Sequence, residues 1–125
     1  VRCFEGEIRQ VLSNLVSNAI DATPPMGGGR LLLRSRVGTD WKTGRLGLVI
    51  SVADNGSSGM PASVVSRIFE AFYATKGANG TGLGLWVSSE IVERHQGILR
   101  VRSSQKPGRS GTAFALFLPF DAVSR

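Results

Sequence analysis

Cysteine is almost absent from this 125-residue chain: Cys3 is the only one. An internal disulfide is therefore excluded, and the usage fits a reducing compartment. Close to the start of the chain, Cys3 reads as a small apolar residue. Histidine is equally scarce, with His95 alone. No apolar run is long enough to cross a bilayer and no signal-peptide pattern is present, so a cytoplasmic location is expected even if a parent protein is membrane-anchored. Acidic residues are few, nine against fifteen basic ones, for a net charge of +6. An initiator methionine is missing too. Val1 begins the chain abruptly, and the expectation is a single domain over residues 1–125, excised from a longer protein.

What is present has ordinary globular proportions, 42% hydrophobic and 19% charged, in a chain long enough to bury a real core. The basic excess comes from twelve arginines and three lysines. They are scattered: Arg34 and Arg36 fall on one expected strand, Arg100 and Arg102 on another, as on solvated strand faces. No aromatic-basic cluster or DNA-binding motif accompanies them. An anionic nucleotide or an acidic partner accounts for the charge equally well, and contact with nucleic acid or membrane is not expected.

Apolar residues at Ile8, Val11, Leu12, Leu15, Val16, Ala19 and Ile20 predict an amphipathic helix, with Gln10, Asn14, Asn18 and Asp21 on the opposite stripe. Pro24, Pro25 and the Gly27–Gly29 run end it. Arg30 to Val37 and Leu46 to Ala53 read as strands of a hairpin. Pro61 opens a short helix from Ala62 to Arg67. Residues 72–82 have no period and are expected to be mobile. Leu83 to His95 reads as another helix, closed by Gly97, and Ile98 to Ser103 and Thr112 to Leu118 as two further strands. The order predicts an α+β two-layer sandwich, with a mixed, mostly antiparallel sheet and the helices on one face. Strands do not alternate with crossover helices, which disfavours a parallel doubly wound sheet.

Four segments carry chemistry. Gly80-Thr81-Gly82-Leu83-Gly84-Leu85 runs straight into a helix. Glycines let the main chain approach an anion, and a helix N-terminus directs N–H groups and a positive dipole end at it. Asn14 and Asn18 stand one above the other on their helix. Amide oxygens suit Mg²⁺, which takes one or two protein ligands beside phosphate and water, although exposed polar residues are normal on any helix. Asp54 ends an apolar strand beside Gly56. It is either an ordinary strand-ending turn residue or an acceptor for an amine. The segment Phe69 to Lys76 contains two aromatic anchors, Phe69 and Phe72. Lys76 is either a solvated lysine or a point charge beside the glycine run.

In that order the segments resemble the ATP-binding domain of sensor histidine kinases, within the GHKL ATPase and kinase superfamily, from about Glu7 to Pro119. Gln10 to Ala22 is similar to the kinase N box, and Phe69 to Lys76 to the F box. The resemblance implies that Asn18 binds Mg²⁺ and that Asn14 lies near the phosphates. It implies Asp54 on the exocyclic amine of adenine, with Gly56 leaving room for the ring and Thr112 joining the hydrogen bonds around that carboxylate. Gly59, and Gly80 through Leu85, complete the ATP site it implies. Two departures stand out. Many relatives carry a cation where Asp21 stands, which Asp21 cannot replace; Lys76 is either the cation that reaches the γ-phosphate instead or a solvated lysine. The usual Asp-x-Gly-x-Gly is longer by one residue in Asp54-Asn55-Gly56-Ser57-Ser58-Gly59.

The resemblance implies binding of Mg·ATP and donation of its γ-phosphate to a histidine on a separate dimerisation domain of the parent protein, with a response regulator receiver domain downstream. The isolated chain would not label itself. His95 lacks the acceptor pattern of an acidic residue and proline after it, and reads as a residue favoured at the negative end of a helix. Trp86 reads as core or as an interdomain surface. A gyrase- or MutL-type ATPase is a second possibility, but Asn14 stands where those enzymes place a glutamate base. A nucleotide-sensing module without transfer activity is the third.

Overall fold

Apolar residues three and four apart wind the first segment into α1, Glu5–Ala22. Ile8, Val11, Leu15 and Ala19 form its buried stripe. The helix starts a turn before that stripe because the Phe4 carbonyl accepts the amides of Glu7 and Ile8 at 3.0 and 3.1 Å. Glu5 and Glu7 sit in the first turn, where negative charge suits the dipole. Ile20, read as part of the apolar stripe, is instead exposed. The computed structural model describes residues 3–22, 29–40, 42–55, 59–70, 83–108 and 110–121.

Four strands follow: β1 (Leu31–Thr39), β2 (Leu46–Asp54), β3 (Ile98–Ser104) and β4 (Gly111–Pro119). They lie side by side in the order β1-β2-β4-β3. Every described pairing is antiparallel; the mixed character expected of the sheet is not seen among the described residues. The register sets Val52 opposite Phe114, Ile50 opposite Leu116 and Asp54 opposite Thr112. Side chains alternate between faces, so Val52, Phe114, Leu116 and Leu118 turn together into the core with Val11 and Leu15. Each such side chain contributes about 1.5–3 kcal/mol by leaving water.

Two short helices complete the fold: α2 (Ala62–Val65) and α3 (Gly84–Arg94). α2 ends before Arg67 because the bonding tightens, with Arg67 N–H donating to Val64 O. Its turn still delivers Ile68 to the core and Phe69 against the ring of Phe114, 6.2 Å between centroids. The helices α1 and α3 pack on one another, α1 against β2 and α3 against β3. The helices therefore share one face of the sheet, the two-layer α+β arrangement read from the sequence. Cys3 packs at the margin of the same core.

The end of α3 differs from expectation in its details. Gln96, not Gly97, takes the left-handed conformation, with φ 59°. Its amide donates to Glu93 O and that of Gly97 to Val92 O, both at 2.9 Å, the paired bonds of a Schellman cap. Gly97 is needed for proximity: a Cβ there would lie 2.3 Å from the carbonyl oxygen of Phe117 in β4. His95 is fully buried and no simple dipole partner. Its Nε2 accepts the Phe4 amide at 3.1 Å, and its Nδ1 lies 2.8 Å from Ile91 O. An amide can only donate and a carbonyl only accept, so the ring carries its proton on Nδ1.

Candidate functional site

The end of β2 brings a carboxylate to the helix side of the sheet. Asp54 is only 9% exposed, and its cross-strand neighbour Thr112 is 8% exposed. Asp54 follows Val52 and Thr112 precedes Phe114 in the same side-chain phase of antiparallel strands, so the core-facing row ends in two polar groups at one margin of the sheet. The approach of the strands there is close. A Cβ on Gly111 would lie 2.2 Å from the carbonyl oxygen of Asp54, which leaves no room for a side chain before Thr112.

Ser103 organises this corner. Its hydroxyl lies 2.8 Å from Thr112 Oγ1, donates to Gly111 O at 3.1 Å and accepts the Met60 amide at 2.8 Å. With its single hydrogen on Gly111 O, the Thr112 hydroxyl donates to Ser103 and turns lone pairs outward. Met60 follows Gly59, which holds φ 76° and where a Cβ would meet Ser104 O at 2.0 Å. The chain that leaves Asp54 is thus pinned again at Gly59-Met60, with β3 as the anchor. At its near end, Asn55 Oδ1 accepts the Arg30 amide at 2.6 Å, tying the start of β1 to the end of β2.

The α1–α3 junction forms a second part. Asn14 donates from Nδ2 to Gly84 O at 3.1 Å and lies 3.2 Å from the Ser88 hydroxyl. Ser88 is fully buried and donates to the same carbonyl at 2.8 Å. Asn14 therefore fixes the first residue of α3 against α1. Among the described residues no side chain caps α3, whose Ncap is Leu83. An uncapped helix N-terminus directly after a glycine run can receive an anion through its free amides. Leu85 is part of the core, so only its backbone is left for such a contact. Asn18 is half-buried one turn further along α1 and forms no hydrogen bond among the described residues. An amide oxygen fits Mg²⁺ only beside other oxygen donors, since no group of three His, Cys, Asp or Glu that could hold a metal occurs among the described residues.

Of the residues singled out in the sequence, the structure brings Asp54, Thr112 and Gly59 into one corner and Asn14, Leu83 and Gly84 into the α1–α3 junction. Gly56, Phe72, Lys76, Gly80, Thr81 and Gly82 lie outside the described residues. Ser103 and Ser88 were missed. Both had a signal: each is a polar residue in an apolar phase, Ser103 after Leu99 and Val101, Ser88 between Leu85 and Ile91. Trp86, expected in the core or at an interdomain surface, is 38% exposed and not part of the core.

The family of histidine kinase-, DNA gyrase B- and HSP90-like ATPases matches residues 4–122. The signal transduction histidine-protein kinase AtoS of Escherichia coli (strain K12) is 40% identical over 114 residues, 91% of this chain and 17% of that kinase. The chain thus spans about a sixth of that relative. The catalytic domain of the histidine kinase ThkA, in a nucleotide-free form, superposes with TM-score 0.74 at 31% identity over 95% of this chain and 70% of the other. Full-length ShkA in complex with AMPPNP gives 0.73 at 31% identity over 97% of this chain and 23% of the other. A match over almost the whole length, together with the two-layer fold, shows that the chain belongs to the histidine kinase-, gyrase B- and HSP90-like ATPases, with sensor histidine kinases as its relatives.

Proposed function

We propose that this domain binds Mg·ATP and presents the γ-phosphate to a histidine on a separate dimerisation domain of a longer parent protein, in a two-component system with a response regulator downstream. The observation that carries the reading is the buried Asp54–Thr112 pair at the sheet margin. A buried carboxylate beside a close backbone approach suits an exocyclic amine, and Thr112 offers lone pairs beside it. The uncapped α3 start suits the phosphates. Asn18 would hold Mg²⁺, which neutralises phosphate charge when bound.

Phosphoryl transfer depends mostly on positioning and charge neutralisation. Asp54 and Thr112 would orient the base, the Ser103 anchor would fix the loop that follows Asp54, and Asn14 would hold the start of α3 in register with α1. Lys76, outside the described residues, would supply a cation to the γ-phosphate. Asn14 donates its amide to Gly84 O and has no carboxylate to accept a proton, which disfavours efficient hydrolysis by this chain. The test is calorimetric titration of ADP and ATP with and without Mg²⁺, on wild type and Asp54→Asn, followed by transfer to a supplied acceptor domain. Equal affinity in the variant rejects the adenine assignment. Tight binding without any transfer rejects the kinase reading in favour of a nucleotide-sensing module.

A further inference from the structure

The strand register gathers four arginines onto the face of the sheet that the helices leave open. Arg34 stands opposite Ser51, Arg36 opposite Val49, Arg100 opposite Ala115 and Arg102 opposite Ala113. These partners belong to the two inner strands, β2 and β4, in the phase that turns away from the core. The open face of an antiparallel sheet is normally polar throughout. Here only the outer strands are charged, and the inner strands carry Val49, Ser51, Ala53, Ala113, Ala115 and Phe117. The result is a shallow trough of about 360 Å³ lined by Arg36 on one side and by Arg100 and Arg102 on the other. Asp40 is its one acidic lining residue, so the surface remains strongly positive. Charge on the outer strands also guards sheet edges, but edge protection does not require small uncharged residues between them.

We infer that this trough docks an amphipathic helix of a partner protein, with a small apolar stripe facing Ala113 and Ala115 and acidic residues on both flanks. The dimensions fit. β1 and β3 are three strand spacings apart, about 14 Å, and an α-helix with its side chains is about 10–12 Å across. Arginines two apart on a strand are separated by about 6.8 Å, close to the rise of about 6 Å between helix residues four apart. Acidic residues at that spacing on each flank meet both walls. The apolar floor favours a polypeptide over a polyphosphate or a nucleic acid, which would leave it unused. The surface is on the opposite side of the sheet from Asp54, so the inference stands apart from the nucleotide site.

The probe is a synthetic helical peptide with glutamates four apart on both flanks of an alanine–leucine stripe, and a twin with glutamine in their place. Titrated into the isotopically labelled 125-residue chain, the glutamate peptide should shift the amides of Ser51, Ala113 and Ala115. The glutamine twin should bind at least about tenfold more weakly, as should the glutamate peptide to Arg36→Gln/Arg102→Gln, because complementary charge sets this contact. A lysine version of the peptide should bind Arg36→Glu/Arg102→Glu and not wild type. No shift at about 1 mM peptide, the limit of weak affinity, overturns the inference. So does equal binding of the two twins, or binding of tripolyphosphate or a single-stranded oligonucleotide as tightly as the peptide with the same dependence on arginine.

Discussion

Ser103 and Asn14 are the two polar side chains that hold the site together, and each can be tested by a change too small to disturb packing. Removing the Ser103 hydroxyl orphans the Met60 amide and loosens Thr112. Ser103→Ala should lower stability by about 1–2 kcal/mol in urea unfolding. It should also weaken ADP binding in calorimetry, because the loop after Asp54 is pinned there. Unchanged ADP affinity would make Ser103 a purely structural residue. Asn14→Asp is nearly isosteric yet replaces a donor with a carboxylate aimed at the Gly84 carbonyl. The expected loss is about 1–3 kcal/mol, and an unaltered midpoint would mean that the amide bond carries little. The sequence made Asn14 visible as a candidate site residue but not as a brace. Its Gly84 and Ser88 partners are 70 and 74 residues away in the chain, and one helix pattern cannot show how it meets another.

At the scale of elements, the periodic segments were the most legible. The α1 stripe apart from Ile20, the four strands to within two residues at each end, and the existence of α3 follow from side-chain phase. Caps and turns were less so, because they depend on neighbours. The glycine after α3 looked like a left-handed cap, whereas Gln96 takes that role and Gly97 makes room for β4. Two substitutions separate these roles. Gln96→Gly should be neutral or stabilising by up to about 1 kcal/mol, since a left-handed residue with a side chain costs about that much. Its exposed bond from Arg45 offsets little. Gly97→Ala should cost more than about 2 kcal/mol, because the clash is with backbone; equal effects in chemical unfolding would contradict the assignment. The β1–β2 turn adds a pH dependence. The Lys42 amide, then the Thr43 hydroxyl, lowers the Asp40 pKa, and the Arg67 guanidinium lowers that of Glu70. A depressed carboxylate stabilises above its unfolded pKa, about 3.9 for Asp and 4.3 for Glu. That contribution is lost as pH falls through the lower folded value. Glu70 is exposed and Asp40 is at most half-buried, so Asp40→Asn should flatten the acid limb of thermal stability only slightly.

For the whole molecule, the two faces of the sheet differ: the helices and the proposed nucleotide corner are on one side, an arginine-walled trough on the other. Composition counted the positive charge but could not place it. Arg34, Arg36, Arg100 and Arg102 looked scattered because the strands that carry them are outermost in the sheet and meet only through β2 and β4. A further expectation belongs at this scale. His95 is sealed between Phe4 and α3 with both ring nitrogens engaged, so the chain incubated alone with γ-labelled ATP should acquire no acid-labile phosphate. Label on His95 would mean that this end of the molecule opens.

The strand order has a consequence for biosynthesis. β4, the last of the described strands, lies between β2 and β3. As the polypeptide leaves the ribosome, β1 and β2 can zip into a hairpin early, but β3 has no neighbour to pair with until β4 arrives. Phe114, Leu116 and Leu118, which fill the middle of the core, arrive with it. Until then Asp54 has no Thr112 across from it, and α1 and α3 have half a floor to rest on. Such late, long-range pairing slows folding. Nascent chains stalled before Gly111 should therefore be protease-sensitive and unable to retain nucleotide, and competence should emerge abruptly when β4 clears the exit tunnel rather than growing with each added element.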